Sequence, residues 1–254
     1  MSLTRSLLMT VGLFAAAGSA GAETKDAVFF GYAYNAESGE YLYTERHQQR
    51  MEGRRWIEGS IDYYDAEGEK LGRKKMDFRA NPYIPEYSLE LESGYAEGIR
   101  DVGEKRAVMW KRPAGGGSEQ TETLKVRDAM AADSGFHSLI YDNLDAILDG
   151  ETKKFRFAVA GNLSDYSFRV RKTGETEFEG RSAAVLKVEA ATLLRLIAPS
   201  LQLTYDPENG QLLEYRGLSN VHDPATGEPF EDVRISYYRK PPEDATGVPE
   251  EAYE

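Results

Sequence analysis

Phe155-Arg156-Phe157-Ala158-Val159-Ala160-Gly161-Asn162-Leu163-Ser164-Asp165-Tyr166-Ser167-Phe168-Arg169-Val170-Arg171 is the stretch whose reading decides the fold class. Phe155, Phe157 and Val159 alternate with Arg156 and Ala158, and Tyr166, Phe168 and Val170 alternate with Ser167, Arg169 and Arg171. A period of two sends successive side chains to opposite faces of an extended chain. Gly161, Asn162 and Asp165 stand between the two runs, where a turn is needed.

The same period recurs in both directions from there. Tyr87, Leu89 and Leu91 oppose Ser88, Glu90 and Glu92; Leu201, Leu203 and Tyr205 oppose Gln202 and Thr204; Val233, Ile235 and Tyr237 oppose Arg234 and Ser236. Asp65-Ala66-Glu67-Gly68 separates a strand ending at Tyr63-Tyr64 from one running Lys70 to Phe78, and Asn209-Gly210 separates Leu201–Tyr205 from Leu212–Tyr215. Asn-Gly is a strong hairpin signal. The 16 tyrosines and 10 phenylalanines suit pleated, half-buried positions. The expectation is a mainly β, antiparallel protein with one dry and one wet sheet face.

One segment reads clearly as a helix, between about residues 135 and 149. Phe136, Leu139, Ile140, Leu144, Ile147 and Leu148 fall on one stripe, Asp133 or Ser134 can cap the start, and Gly150 can end it. That stripe should lie against the sheet. Ala191 to Ala198 reads equally as a short helix or a buried strand. Pro113-Ala114-Gly115-Gly116-Gly117-Ser118 is expected to be a loop within a single β-rich domain spanning 23–240, and the proline-rich acidic tail 241–254 is expected to be mobile.

Residues 1–22 have the form of a secretory signal peptide. Arg5 is followed by an apolar run from Leu7 to Ala17 and by the small residues Gly18 to Ala22, which predicts cleavage between Ala22 and Glu23. The run is too short for a permanent membrane helix. The remaining 232 residues suffice for a substantial core, and the chain has no cysteine, so the fold rests on packing and no lipoprotein thiol is available. A periplasmic or secreted protein is expected. Net charge is −12, or −13 without Arg5, which repels phosphate backbones and anionic headgroups. Nucleic acid is therefore not an expected partner, and no integral membrane segment is expected once the signal is removed.

Catalytic signatures are absent. There is no G-x-S-x-G elbow, H-E-x-x-H pair, P-loop or EF-hand spacing. The three histidines, His47, His137 and His222, are far apart in sequence, so no metal site and no cofactor is assigned. Ser138 and His137, adjacent on a helix, do not face each other and make no relay. Nothing selects a working pair among the 43 acids. In Leu212-Leu213-Glu214-Tyr215-Arg216-Gly217-Leu218-Ser219-Asn220, Arg216 and Asn220 flank a glycine where a bulge or close backbone approach is expected; this patch either orients a ligand or serves strand-end turn chemistry.

A signal peptide, ten or more amphipathic strands and one apolar-faced helix after the first half of the sheet resemble the periplasmic lipoprotein-carrier class. The run Leu213 to Asn220, Leu-x-Tyr-x-Gly-x-Ser-Asn, is also similar to one in uncharacterised exported bacterial proteins. The carrier resemblance implies a strongly curved antiparallel sheet, a half-barrel or open barrel, with a helix on its concave apolar side. It transfers no functional residue. The leading expectation is a non-catalytic exported protein of the cell envelope that binds a lipid or other hydrophobic molecule beneath the helix, with Phe136, Leu139, Ile140, Leu144, Arg216 and Asn220 as the ligand-contacting set. A structural or protein-interaction envelope protein with a filled core is the alternative, and a hydrolase with an unrecognised site the third.

Overall fold

Tight polar turns drive the architecture. At Asp65 the side-chain Oδ1 accepts the backbone N–H groups of Glu67 and Glu69, at 3.0 and 2.8 Å, and Gly68 takes the left-handed φ of 86° that closes the turn. At the other expected hairpin, Asp206 Oδ1 accepts the N–H of Glu208, and Gly210 sits at φ 71°. Each turn reverses the chain onto its predecessor, so consecutive strands pair.

The computed structural model describes residues 24–191, 200–245 and 248. The expected signal peptide and most of the ambiguous segment 191–198 lie outside the described residues. Eight strands form a meander: β1 (Thr24–Asn35), β2 (Tyr41–Glu52), β3 (Arg55–Asp65), β4 (Lys70–Asp77), β5 (Glu86–Leu91), β6 (Ala96–Arg100), β7 (Arg106–Arg112) and β8 (Gln120–Lys125). After β9 (Met130–Ala132) come α1 (Gly135–Asp142) and α2 (Leu144–Leu148), then β10 (Lys153–Val159), a 3-10 turn at Ala160–Asn162, β11 (Ser164–Phe178), β12 (Arg181–Ala190), β13 (Leu201–Tyr205), β14 (Leu212–Gly217) and β15 (Val233–Ser236). The Gly-rich stretch 113–118 falls in the β7–β8 hairpin, where Lys111 faces Gln120.

Among the described residues these strands make one sheet in the order β8-β7-β6-β5-β4-β3-β2-β1-β15-β14-β13-β12-β11-β10-β9. All neighbours are antiparallel except β9 and β10, which run parallel. β8 and β9 are the two ends of this sheet, yet only residues 126–129 join them in the chain. Five Cα steps of 3.8 Å cover at most about 19 Å, whereas fifteen strands laid flat at about 4.8 Å would spread over about 70 Å. The sheet must therefore curl until its ends approach, and the expected strongly curved, open barrel is what the chain builds. The ends are not joined by a ladder. They meet through side chains and the 3-10 turn, which packs on β6 and β7: Lys111 Nζ donates to the Gly161 carbonyl at 2.9 Å and Arg127 pairs with Asp165 at 3.2 Å.

The apolar stripe at 136–148 packs on the sheet as expected, with Leu139, Ile140, Leu144 and Ile147 buried against Phe155, Val170, Leu186, Val188 and Leu203. It is, however, two helical segments rather than one. Asn143, at φ −114° and ψ 6°, leaves helical geometry between α1 and α2, and its side-chain amide donates to the Leu139 carbonyl at 2.9 Å. An asparagine offers the backbone a competing local bond, which is why it can break a helix there. Gly150 ends α2 at φ 98°. The start is held by Asp133, whose Oδ1 accepts from the N–H and hydroxyl of Ser134. Of the acidic tail, Asp244 accepts from Tyr34 at 3.0 Å and Ala245 packs with Tyr32 and Tyr34 on the outer face.

Candidate functional site

Curling the sheet encloses a cavity of about 1100 Å³. Ligand pockets typically run from about 300 to 1,000 Å³, so this interior lies just above the top of that range. Its walls have two characters. Near α1 they are aromatic: Trp56, Phe136, His137, Tyr141, Phe157 and Phe168 line it. Phe136 stacks on Phe155 with centroids 5.1 Å apart and meets Phe157 edge-on at 5.6 Å. His137 lies flat against Trp56 and Tyr205, and its Nδ1 is 3.0 Å from the Tyr205 hydroxyl. Burial pulls the His137 imidazole down to about 4, so it is neutral near pH 7.

The floor is polar. Alternation on β2 places Tyr43, Glu45, His47 and Gln49 on one face, and all four are buried. On β4 the same rule puts Lys74 between Gly72 and Met76, and on β6 it points Glu97 inward. Lys74 Nζ lies 2.6 Å from Asp133 Oδ2, with both side chains only 6% exposed. Asn220 Nδ2 reaches the same carboxylate oxygen at 3.3 Å. Glu45 Oε2 is 2.9 Å from His47 Nε2 and accepts from the Tyr237 hydroxyl at 3.3 Å. Glu97 accepts from Tyr95 at 2.7 Å and Tyr87 at 3.4 Å.

Burial, with the nearby Asp133 charge, raises the Glu97 carboxyl, although the Tyr95 hydrogen bond and Lys74 oppose it. Burial first, then the charge of Glu45, keeps Tyr43, Tyr63, Tyr215 and Tyr237 well above the ordinary phenol range. The floor tyrosines are therefore protonated hydrogen-bond donors whose ring faces remain neutral and electron-rich.

The residues expected to contact a ligand separate into three places. Phe136 and Asn220 line the cavity. Leu139, Ile140 and Leu144 lie behind its wall, in the closed cluster between helix and sheet. Arg216 lies on β14 beside Asp232, at 3.3 Å, and does not line the cavity. Gly217 has the close approach foreseen for it, since a Cβ there would meet the Leu201 side chain and the Tyr215 hydroxyl. The floor residues Glu45, His47, Lys74 and Glu97 escaped sequence reasoning, which assigns polar side chains to the wet face. Among the described residues no group of three His, Cys, Asp or Glu side chains is arranged to hold a metal, and no helix is long and apolar enough to cross a membrane.

The chain matches no protein-family model, and no curated protein matches it. Among solved structures it is similar to a β-barrel-like protein of the domain of unknown function DUF1849 from Brucella abortus, at 8% identity and a TM-score of 0.48, over 84% of this chain and 94% of that one.

Proposed function

We propose that this chain is a non-catalytic, exported binding protein that holds a hydrophobic or amphiphilic molecule inside its open barrel. The observation that carries this reading is the 1100 Å³ cavity with aromatic walls at one end and polar side chains at the other. A filled interior would have served a purely structural protein; an interior of this size leaves apolar surface that a ligand can cover, at roughly 25 cal/mol per Å². Export is supported by the n-region, apolar run and small residues of 1–22. N-terminal sequencing of protein recovered from the periplasm or medium should read Glu23 first, and a start at Met1 would reject export. A lipid-carrier role of the lipoprotein-carrier kind is one form of this reading, resting on the strand pattern and the helix beside the cavity.

The binding reading is tested by titrating the mature protein with Nile red, a neutral solvatochromic dye. Saturable, one-to-one blue-shifted fluorescence is expected. Phe136→Ala and Phe157→Ala should each weaken it several-fold, because each removes an aromatic face from the cavity wall. No saturable signal would leave the structural alternative in its place.

A further inference from the structure

We propose that the floor of the cavity receives the cationic, hydrogen-bond-donating end of an amphiphile, such as an alkyl or aryl amine, and discriminates against fatty acids. The inference rests on the binding reading above and names its ligand class.

The floor holds a surplus of acceptors. Glu45, Glu97 and Asp133 line it, and Lys74 is the cation buried beside them. Lys74 is already committed to Asp133 at 2.6 Å. Of the two guanidinium groups that also line the cavity, Arg156 pairs with Asp165, and Arg54 sits at the aromatic end beside α1, where it donates to the Tyr141 hydroxyl at 2.6 Å. A carboxylate on the floor would face three acids beside a lysine already paired with one of them, and burying a charge without a partner is expensive.

A second observation points to a donor on the ligand. His47 is 5% exposed and lines the cavity, and its Nδ1 has no hydrogen-bond partner. When the neutral imidazole donates from Nε2 to Glu45, Nδ1 is left as a lone-pair acceptor. An ammonium seated there would supply the missing donor and face Glu45. The Tyr237 ring meets the His47 ring edge-on with centroids 5.8 Å apart, and Tyr63 and Tyr215 line the same cavity. Aromatic faces attract a desolvated cation, while the aromatic wall near α1 would take the apolar part of the molecule.

The experiment is competition against bound Nile red by three amphiphiles of equal chain length below their micelle concentrations: dodecylammonium, dodecanol and dodecanoate. It is run on wild type and Glu45→Gln at pH 7.5 and at both low and high salt, since the acidic surface attracts any cation at low salt. The ammonium should displace the dye at a concentration about tenfold lower than dodecanoate does, as expected for a cation against aromatic faces and a carboxylate. That gap should persist at high salt and shrink in Glu45→Gln, with dodecanol unchanged. Dodecanoate binding as well as the ammonium, or a gap that survives Glu45→Gln, would overturn the cationic class and leave the cavity reading intact. Failure of Nile red itself to bind would reject the binding reading, and this inference with it.

Discussion

At the scale of single residues, Leu144 separates packing from binding. It is 5% exposed, sits in the closed helix–sheet cluster with Ile140 and Ile147, and does not line the cavity. Leu144→Ala should therefore cost about 2–5 kcal/mol, the range for a buried leucine that leaves a void. The cost should be the same with and without Nile red, read from urea melts at both conditions. A loss that nearly vanishes in the presence of dye would place Leu144 at the ligand after all. Phe136 lies about one turn from Ile140 on α1, half-buried and lining the cavity, so residues of one helix divide between core and site.

At the scale of elements, strands whose polar side chains reach solvent were legible and strands whose polar side chains turn inward were not. The β5 pattern, with Tyr87, Leu89 and Leu91 buried and Glu90 exposed, follows the alternation rule directly. On β2 the rule misleads, because Glu45, His47 and Gln49 occupy inward positions next to Tyr43. A polar residue can take such a position only when a partner is brought from elsewhere in the chain, and those partners are invisible in a local window. Tyr237 is 192 residues from Glu45 and Asp133 is 59 from Lys74. The helix was found from its apolar stripe, but its break at Asn143 was missed because the stripe continues through it.

The Lys74–Asp133 pair ties β4 to the entry of α1, and its energetics are testable. Removing one member of a buried pair leaves an uncompensated charge, at about 3–5 kcal/mol. Lys74→Met should lose stability on that order in a urea melt. Lys74→Met combined with Asp133→Asn, which keeps an oxygen for Ser134, should recover much of it. A double variant no more stable than the single would mean that the pair is not what fixes this junction.

At the scale of the whole molecule, β1 and β15 close the fold. Tyr32 pairs with Ser236 and Asn35 with Val233, so the first strand described and the last are neighbours at the centre of the sheet. Contacts of such sequence separation are late and slow to form. The turns that begin the process are local and were readable; the closure was not, because it depends on the count of strands and on how they curl.

The short strap at 126–129 gives this wall a property that a sealed barrel lacks. In a closed barrel the number of strands and their stagger fix the diameter. Here the two ends of the sheet meet through side chains without a shared ladder, so strand number and stagger alone do not set the girth. Widening the barrel would part the Lys111–Gly161 and Arg127–Asp165 contacts, while every strand keeps the neighbours it has. Gly161 stands at that slit, where a Cβ would collide with Glu97 and the Tyr95 hydroxyl, so the hem of the garment is stitched beside the polar floor of the cavity.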